Sequence, residues 1–435
     1  MPPTLSALTL AVLLAATSAP LPAASGSATP LPVAAPDSQG MSGARLARLH
    51  DFIGGLAARG DYLGAVTLLA RNGRIVDWRA YGHLDLARTR PMPRDAIFRI
   101  YSMSKTVTAV AMMTLMEEGR FALDDPVGKY LPELRAMRVH TGGPLDAPQS
   151  RPVARPLTIR HLLTHTPGFA VYGKEGQPLT LLFERAALGE SRDLADYVAR
   201  LAPLPLAHEP GAEFHYDGVP IQVAGRLVEV LSGMPLDVYL ERRIFAPLGM
   251  RDTGFEVPLA KRARIAAMTT TGADGRLAPP APGSIAAAGE RSNPYFSGAG
   301  GLYSTAGDYA RFAQMLLDGG SLDGVTILGR KTVDFMMQNQ LTQLDAGVRE
   351  SSPGEGFGLG GSVVLDTARR GRPGSVGQYG WSGAAGTYYT VDRQEKLVAI
   401  LMTQHLPQGL PQDPPRLAVP FYNLVYQSLV QVKGP

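Results

Sequence analysis

Cysteine is missing from all 435 residues, which removes disulfides, thiol nucleophiles and thiolate metal sites from consideration. The fold must therefore rest on packing alone. Long apolar runs are missing too: residues 5–16 are uncharged and apolar, short of the roughly 18 residues a transmembrane helix needs. That run, followed by Ala/Ser/Pro-rich sequence with a small-x-small site at Ala24-Ser25-Gly26, predicts a signal peptide and leader over residues 1–30. Export to the periplasm or medium is the expectation, with no integral membrane segment in the mature chain. Clusters of one charge sign are likewise absent, since 42 Lys and Arg stand against 38 Asp and Glu for a net charge of +4, and the arginines are scattered. A nucleic-acid partner would leave a clustered basic footprint, so none is expected. The chain also lacks Gly-x-Ser-x-Gly, a P-loop and a dinucleotide fingerprint. These absences exclude the nucleophile elbow of α/β-hydrolases and point to cofactor-free, metal-free chemistry.

What remains is ordinary globular sequence, 45% hydrophobic and 18% charged, long enough for two lobes. After a linker at residues 30–37, Leu46, Leu49, Phe52, Ile53 and Leu56 recur at helical spacing within residues 43–58. Two β-rich runs, 65–70 and 75–81, flank Arg71-Asn72-Gly73-Arg74, and Asn-Gly between such runs predicts a hairpin. Residues 121–291 are rich in Pro, Gly and short helical patterns at 159–164, 194–201 and 221–231. Strand signals return at 302–304, 357–365, 386–391 and 397–403, and a closing helix is predicted at 418–432. Strands at both ends around a helical middle imply one α/β domain, residues 31–120 plus 292–435, with a helical lobe inserted at 121–291.

The pair that carries chemistry is Ser102 and Lys105. Three residues apart at the start of the nearly uncharged helical stretch 106–115, they share a face, so the lysine amine reaches the serine hydroxyl. This is the spacing of a serine nucleophile activated by lysine rather than histidine. A Ser-x-x-Lys quartet arises by chance in about one chain in three of this composition, so its surroundings decide its weight. A nucleophile there also needs a second proton-handling group and an oxyanion hole. Tyr216 stands in a loop just before the helical run 221–231, and residues 380–392 form a strand-like stretch with glycines that admit close backbone approach.

Five ordered landmarks then make a pattern. They are Ser102-Met-Ser-Lys105, Leu123-Asp-Asp-Pro-Val-Gly-Lys-Tyr-Leu-Pro132, His161-Leu-Leu-Thr-His-Thr-Pro-Gly168, Gly298-Ala-Gly-Gly-Leu-Tyr-Ser-Thr305 and Tyr379-Gly-Trp-Ser-Gly383, with Tyr216 between the third and fourth. From about residue 43 to the end, the chain resembles the serine β-lactamase and penicillin-recognising superfamily, nearest its class C-like branch with the family VIII carboxylesterases. The resemblance implies an α/β fold with an antiparallel sheet flanked by helices, an inserted helical lobe, and the site between them. It implies Ser102 as acylated nucleophile, Lys105 beside it and Tyr216 as the tyrosine of Tyr-x-Asn. Trp381, Ser382 and Gly383 take the place of the substrate-binding Lys-Thr-Gly triplet, and the backbone N–H groups of Ser102 and Ala384 would form the oxyanion hole.

Two departures bear on substrate. Gly218 replaces the asparagine of Tyr-x-Asn, and Trp381 replaces the lysine of Lys-Thr-Gly. Each loss removes a polar anchor for a β-lactam worth about 1–3 kcal/mol, and an indole suits an uncharged acyl or alcohol group. Short-acyl carboxylic esters are therefore the expected small-molecule substrates. The alternatives are a β-lactamase or D-amino-acid-specific peptidase with the same machinery, and a non-catalytic ligand-binding member of the fold. An ordinary lysine, with a pKa near 10.4, is neutral about once in 2,500 at pH 7, so Lys105 needs a depressed pKa or help from Tyr216 to act as base. His161 and His165 have a zinc-compatible spacing but no third ligand nearby, and are read as structural. His208 and His215 flank the Tyr216 loop.

Overall fold

The computed structural model describes residues 30–169, 177–343 and 350–430. The leader therefore falls almost wholly outside the described residues. Helix α1 (Gly43–Arg59) turns Leu46, Leu49, Ile53 and Leu56 inward, with the Ser42 hydroxyl accepting from the Arg45 N–H at its start and Gly60 in the left-handed region at its end. Strands β1 (Gly64–Arg71) and β2 (Arg74–Gly82) follow as the expected hairpin. Asn72 and Gly73 have φ of 54° and 73°, the left-handed pair that a tight two-residue hairpin turn demands.

The other strands come from the far end of the chain: β3 (Glu355–Phe357), β4 (Ser362–Val364), β5 (Tyr379–Gly383), β6 (Thr387–Asp392) and β7 (Leu397–Met402). They form one antiparallel sheet in the order β3-β4-β5-β6-β7-β1-β2, closed in the middle by pairing of the two chain ends. Every residue of β1 and β7 is buried, because both faces of these central strands are covered. Leu69, Leu397, Ala399 and Leu401 face α1 and α5 (Ala418–Tyr426), while Val66, Leu68, Val398 and Ile400 face the opposite core. On that second side lie α2 (Ser104–Glu117), α3 (Val219–Ser232) of the helical lobe and α4 (Ala306–Leu317).

Three details depart from expectation. Residues 30–37 are a packed edge rather than a free linker: Leu31 is buried, and the Ile75 N–H donates to Pro32 O while the Ala34 N–H donates to Ile75 O. The strand foreseen over 357–365 is the hairpin β3–β4, broken by Gly360 with φ 82°. The closing helix stops at Tyr426 because the chain beyond it pairs with the start, Ser42 N–H to Ser428 O and Val430 N–H to Gly40 O. The helical lobe also shares strands with the α/β domain, since Thr269–Thr271 pairs in parallel with His405–Leu406. Among the described residues no helix is long and apolar enough to cross a membrane.

Candidate active site

Ser102 lies on a 3-10 turn, Tyr101–Met103, that runs directly into α2. Tyr101 has φ 42°, a strained conformation for a non-glycine residue that must be held by its surroundings. Three contacts hold it. Ile100 N–H donates to Leu302 O at 3.0 Å, Leu302 N–H to the Ser104 hydroxyl at 3.2 Å, and the Tyr309 hydroxyl to Met103 O at 3.0 Å. The second serine of Ser-Met-Ser-Lys is thus a buried brace for the turn.

Lys105 is buried, with 4% of its surface exposed. Its Nζ stands 3.0 Å from Ser102 Oγ and 2.7 Å from Ala299 O. The loop from Gly298 to Gly301 is built for this contact: a Cβ at Gly298 would come within 2.8 Å of Thr108 Oγ1, which itself donates to Gly298 O. Burial brings the Lys105 ammonium down to about 7, with a negative charge on Asp217 opposing the fall. Tyr216 reaches the same point from the loop before α3. Its ring centroid is 5.0 Å from Lys105 Nζ. Burial pushes the phenol above its ordinary value, with the Ser102 hydroxyl and the Trp381 N–H beside it opposing the rise.

Trp381 has a polar job that the sequence reading did not foresee. Its Nε1–H donates to Tyr216 Oη at 2.9 Å, and its ring packs on Tyr216 and Phe357 at centroid distances of 4.9 and 5.1 Å. Along β5 the side chains alternate. Trp381 pairs with Tyr389 on the cleft side, whereas Ser382 pairs with Tyr388 on the face toward α5. The Ser382 side chain is therefore on the sheet face away from Tyr216. Gly383 is required for close approach, since a Cβ there would lie 2.3 Å from Ile100 O of the serine turn. Ala384 opens the turn after β5 and is exposed.

The two histidines of the third landmark part ways. His161 Nδ1 accepts from the Thr158 N–H in a helix capping box. His165 is fully buried, with its ring tilted against Tyr216 at 4.7 Å and edge-to-face with Phe357 at 5.2 Å, and has φ 56°. Burial, then Lys105 and His215, hold its imidazole well below the ordinary range and hence neutral. Sequence reasoning also passed over Asp217. Its carboxylate is 1% exposed, with Oδ1 accepting from the Val219 N–H at 2.7 Å and Oδ2 buried without a partner. Burial pushes it up to about 7, while the Val219 N–H and Lys105 pull the other way. Its one sequence signal is that it follows Tyr216.

The sequence model of the Beta-lactamase family matches residues 49–419. This protein belongs to the Beta-lactamase family. Among relatives, it is 37% identical over 356 residues to Protein Rv1367c of Mycobacterium tuberculosis, covering 79% of this chain and 86% of that one. It is 32% identical over 366 residues to Esterase EstB of Burkholderia gladioli, covering 80% and 87%. Among solved structures, EstCE1, described as a hydrolase with promiscuous acyltransferase activity, superimposes with a TM-score of 0.73 at 26% identity, covering 88% of this chain and 99% of that one. Within the Beta-lactamase family of hydrolases and acyltransferases, this member has Gly218 at the start of α3, two residues after Tyr216, and Trp381 in contact with Tyr216. The antiparallel sheet, flanking helices and inserted lobe are those the resemblance implied.

Proposed function

We propose that the protein is a serine carboxylesterase that cleaves small, short-acyl esters through an acyl-enzyme on Ser102. The observation that carries this reading is the 3.0 Å contact between Ser102 Oγ and the buried Lys105 amine. With its pKa lowered to about 7, Lys105 is neutral often enough at physiological pH to accept the Ser102 proton, keeping one N–H for Ala299 O. Ser102 Oγ then attacks the ester carbonyl, and the N–H groups of Ser102 and Ala384 are assigned to the resulting oxyanion. Tyr216, a neutral phenol at this pH because burial raises its pKa, gives its proton to the leaving alkoxide and recovers one from the Lys105 ammonium. Water releases the acid by the reverse relay. The raised phenol and lowered amine favour Lys105 over Tyr216 as the initial base.

Esters are favoured over β-lactams because the cation and the asparagine amide that would anchor such a drug are replaced by Trp381 and Gly218, and the indole N–H is already engaged with Tyr216. The esterase among the relatives supports the same choice. Transfer of the acyl group to an alcohol instead of water is the second reading, favoured by the acyltransferase activity ascribed to EstCE1. Export is part of the proposal, and N-terminal sequencing of the mature protein tests it. Ser102→Ala is expected to cut turnover of p-nitrophenyl butyrate by about 10³-fold or more, with an unchanged circular dichroism spectrum. Activity within tenfold of wild type would sink the assignment.

A further inference from the structure

On the face of the sheet opposite the cleft, a cavity of about 240 Å³ lies between β5, β6 and α5. It holds an unbalanced charge. Arg370 and Arg372 both reach one carboxylate: Arg370 Nε and, at 3.0 Å, Arg372 Nη2 donate to Glu355 Oε1. Arg370 is further tied to Gln378 Oε1 at 3.0 Å, and Gln378 to Thr390 Oγ1 at 2.8 Å. Two guanidiniums on one carboxylate leave one positive charge over, with side-chain exposures of only 7%, 17% and 16% for Arg370, Arg372 and Glu355. Burial, and Arg372 beside it, push the Arg370 guanidinium below its ordinary value.

Arg372 is the member with unspent capacity. Its Nε–H is buried and has no hydrogen-bond partner, although buried N–H groups are nearly always partnered. Its guanidinium lies 5.3 Å from the centroid of the Tyr422 ring, which fixes the plane of the fork. Tyr388 and Tyr422 supply aromatic wall to the cavity, and Ser362 and Ser382 supply hydroxyls. One surplus positive charge on a guanidinium with an unpartnered Nε–H, beside an aromatic wall and two hydroxyls, matches a small monoanion with a short apolar tail.

We propose that this cavity is a binding site for a small carboxylate, held by Arg372 with its tail against Tyr388 and Tyr422. It shares a strand with the Ser102 cleft: Trp381 and Ser382 both border the cavity, while the Trp381 indole N–H is turned the other way, to Tyr216. The argument uses none of the residues assigned to ester cleavage.

The test measures binding on the Ser102→Ala chain, so that turnover plays no part, at ionic strength matched with sodium chloride. Sodium butyrate is titrated calorimetrically beside its neutral isostere butyramide and inorganic phosphate. Saturable binding of butyrate without binding of butyramide, weakened about tenfold or more by Arg372→Gln and less by Arg372→Lys, supports the site. Circular dichroism checks that both variants are folded, and the graded pair separates loss of the fork from general disruption. Equal binding of butyrate and butyramide, butyrate binding unaffected by Arg372→Gln, or tighter binding of phosphate than of butyrate would each overturn the assignment.

Discussion

At the scale of single residues, the proposed chemistry depends on how far burial moves two groups, Lys105 and Asp217, toward neutral pH. Lys105 falls to about 7, and the one negative charge that limits the fall is Asp217. Asp217→Asn keeps an oxygen acceptor for the Val219 N–H while deleting that charge, so the Lys105 pKa should drop further. The acidic limb of kcat/KM, set by deprotonation of the base in the free enzyme, is expected to move to lower pH; a limb that stays in place would remove Asp217 from the account. Stability carries the same sign. A carboxyl raised to about 7 when folded contributes stability below its ordinary range and loses it as pH climbs through 7. The Asn variant should therefore gain melting temperature over wild type more at about pH 8 than at about pH 5. Ser102 and Lys105 could be singled out by their spacing and ordered surroundings, and Tyr216 by the resemblance, and the fold brings the three together. Asp217 and the indole N–H of Trp381 were not legible in the sequence, because an aspartate in a loop and a tryptophan in a strand reveal nothing of their partners until the chain is folded.

Among the elements, the turn of the β3–β4 hairpin matters to the site because it docks on the helix that carries Lys105. Thr106 Oγ1 donates to Gly360 O at 2.8 Å, and a Cβ on Gly360, whose φ is 82°, would stand 2.4 Å from the Ala109 Cβ. Gly360→Ala combines that overlap with left-handed backbone strain, and is expected to cost about 2–4 kcal/mol of stability. Denaturant unfolding measures it; a loss under about 0.5 kcal/mol would mean the hairpin turn is free to move off α2. The same hairpin shows what pattern reading misses. Residues 357–365 hold enough apolar sequence to look like one strand, and the Gly-Leu-Gly-Gly signal inside them was the turn. By contrast β1 and β2 were legible to within a residue or so, since Asn72-Gly73 permits one tight geometry. The edge formed by residues 30–37 could not be read, because Pro-rich sequence offers no periodicity and its partner, Ile75, is fixed only by the sheet.

For the molecule as a whole, division into an α/β domain and a helical lobe describes the chain better than it describes the core. One apolar cluster runs from Val66 and Ile400 in the sheet through Val107 and Val110 of α2 to Ile221 and Leu227 of α3. The cleft lies where these parts meet, so the lobes should unfold together. Fluorescence of the two tryptophans, both in strands of the sheet, and far-UV circular dichroism of the helices are expected to give coincident thermal transitions. A separate, earlier loss of helix would contradict the shared core. The central claim, that Ser102 is the group acylated, has a direct measurement: mass spectrometry of the chain quenched during turnover of p-nitrophenyl butyrate, followed by peptide mapping. The account predicts a butyryl adduct on the peptide containing Ser102 and none in Ser102→Ala. An adduct on another residue, or sustained turnover by the Ser102→Ala chain, would contradict it.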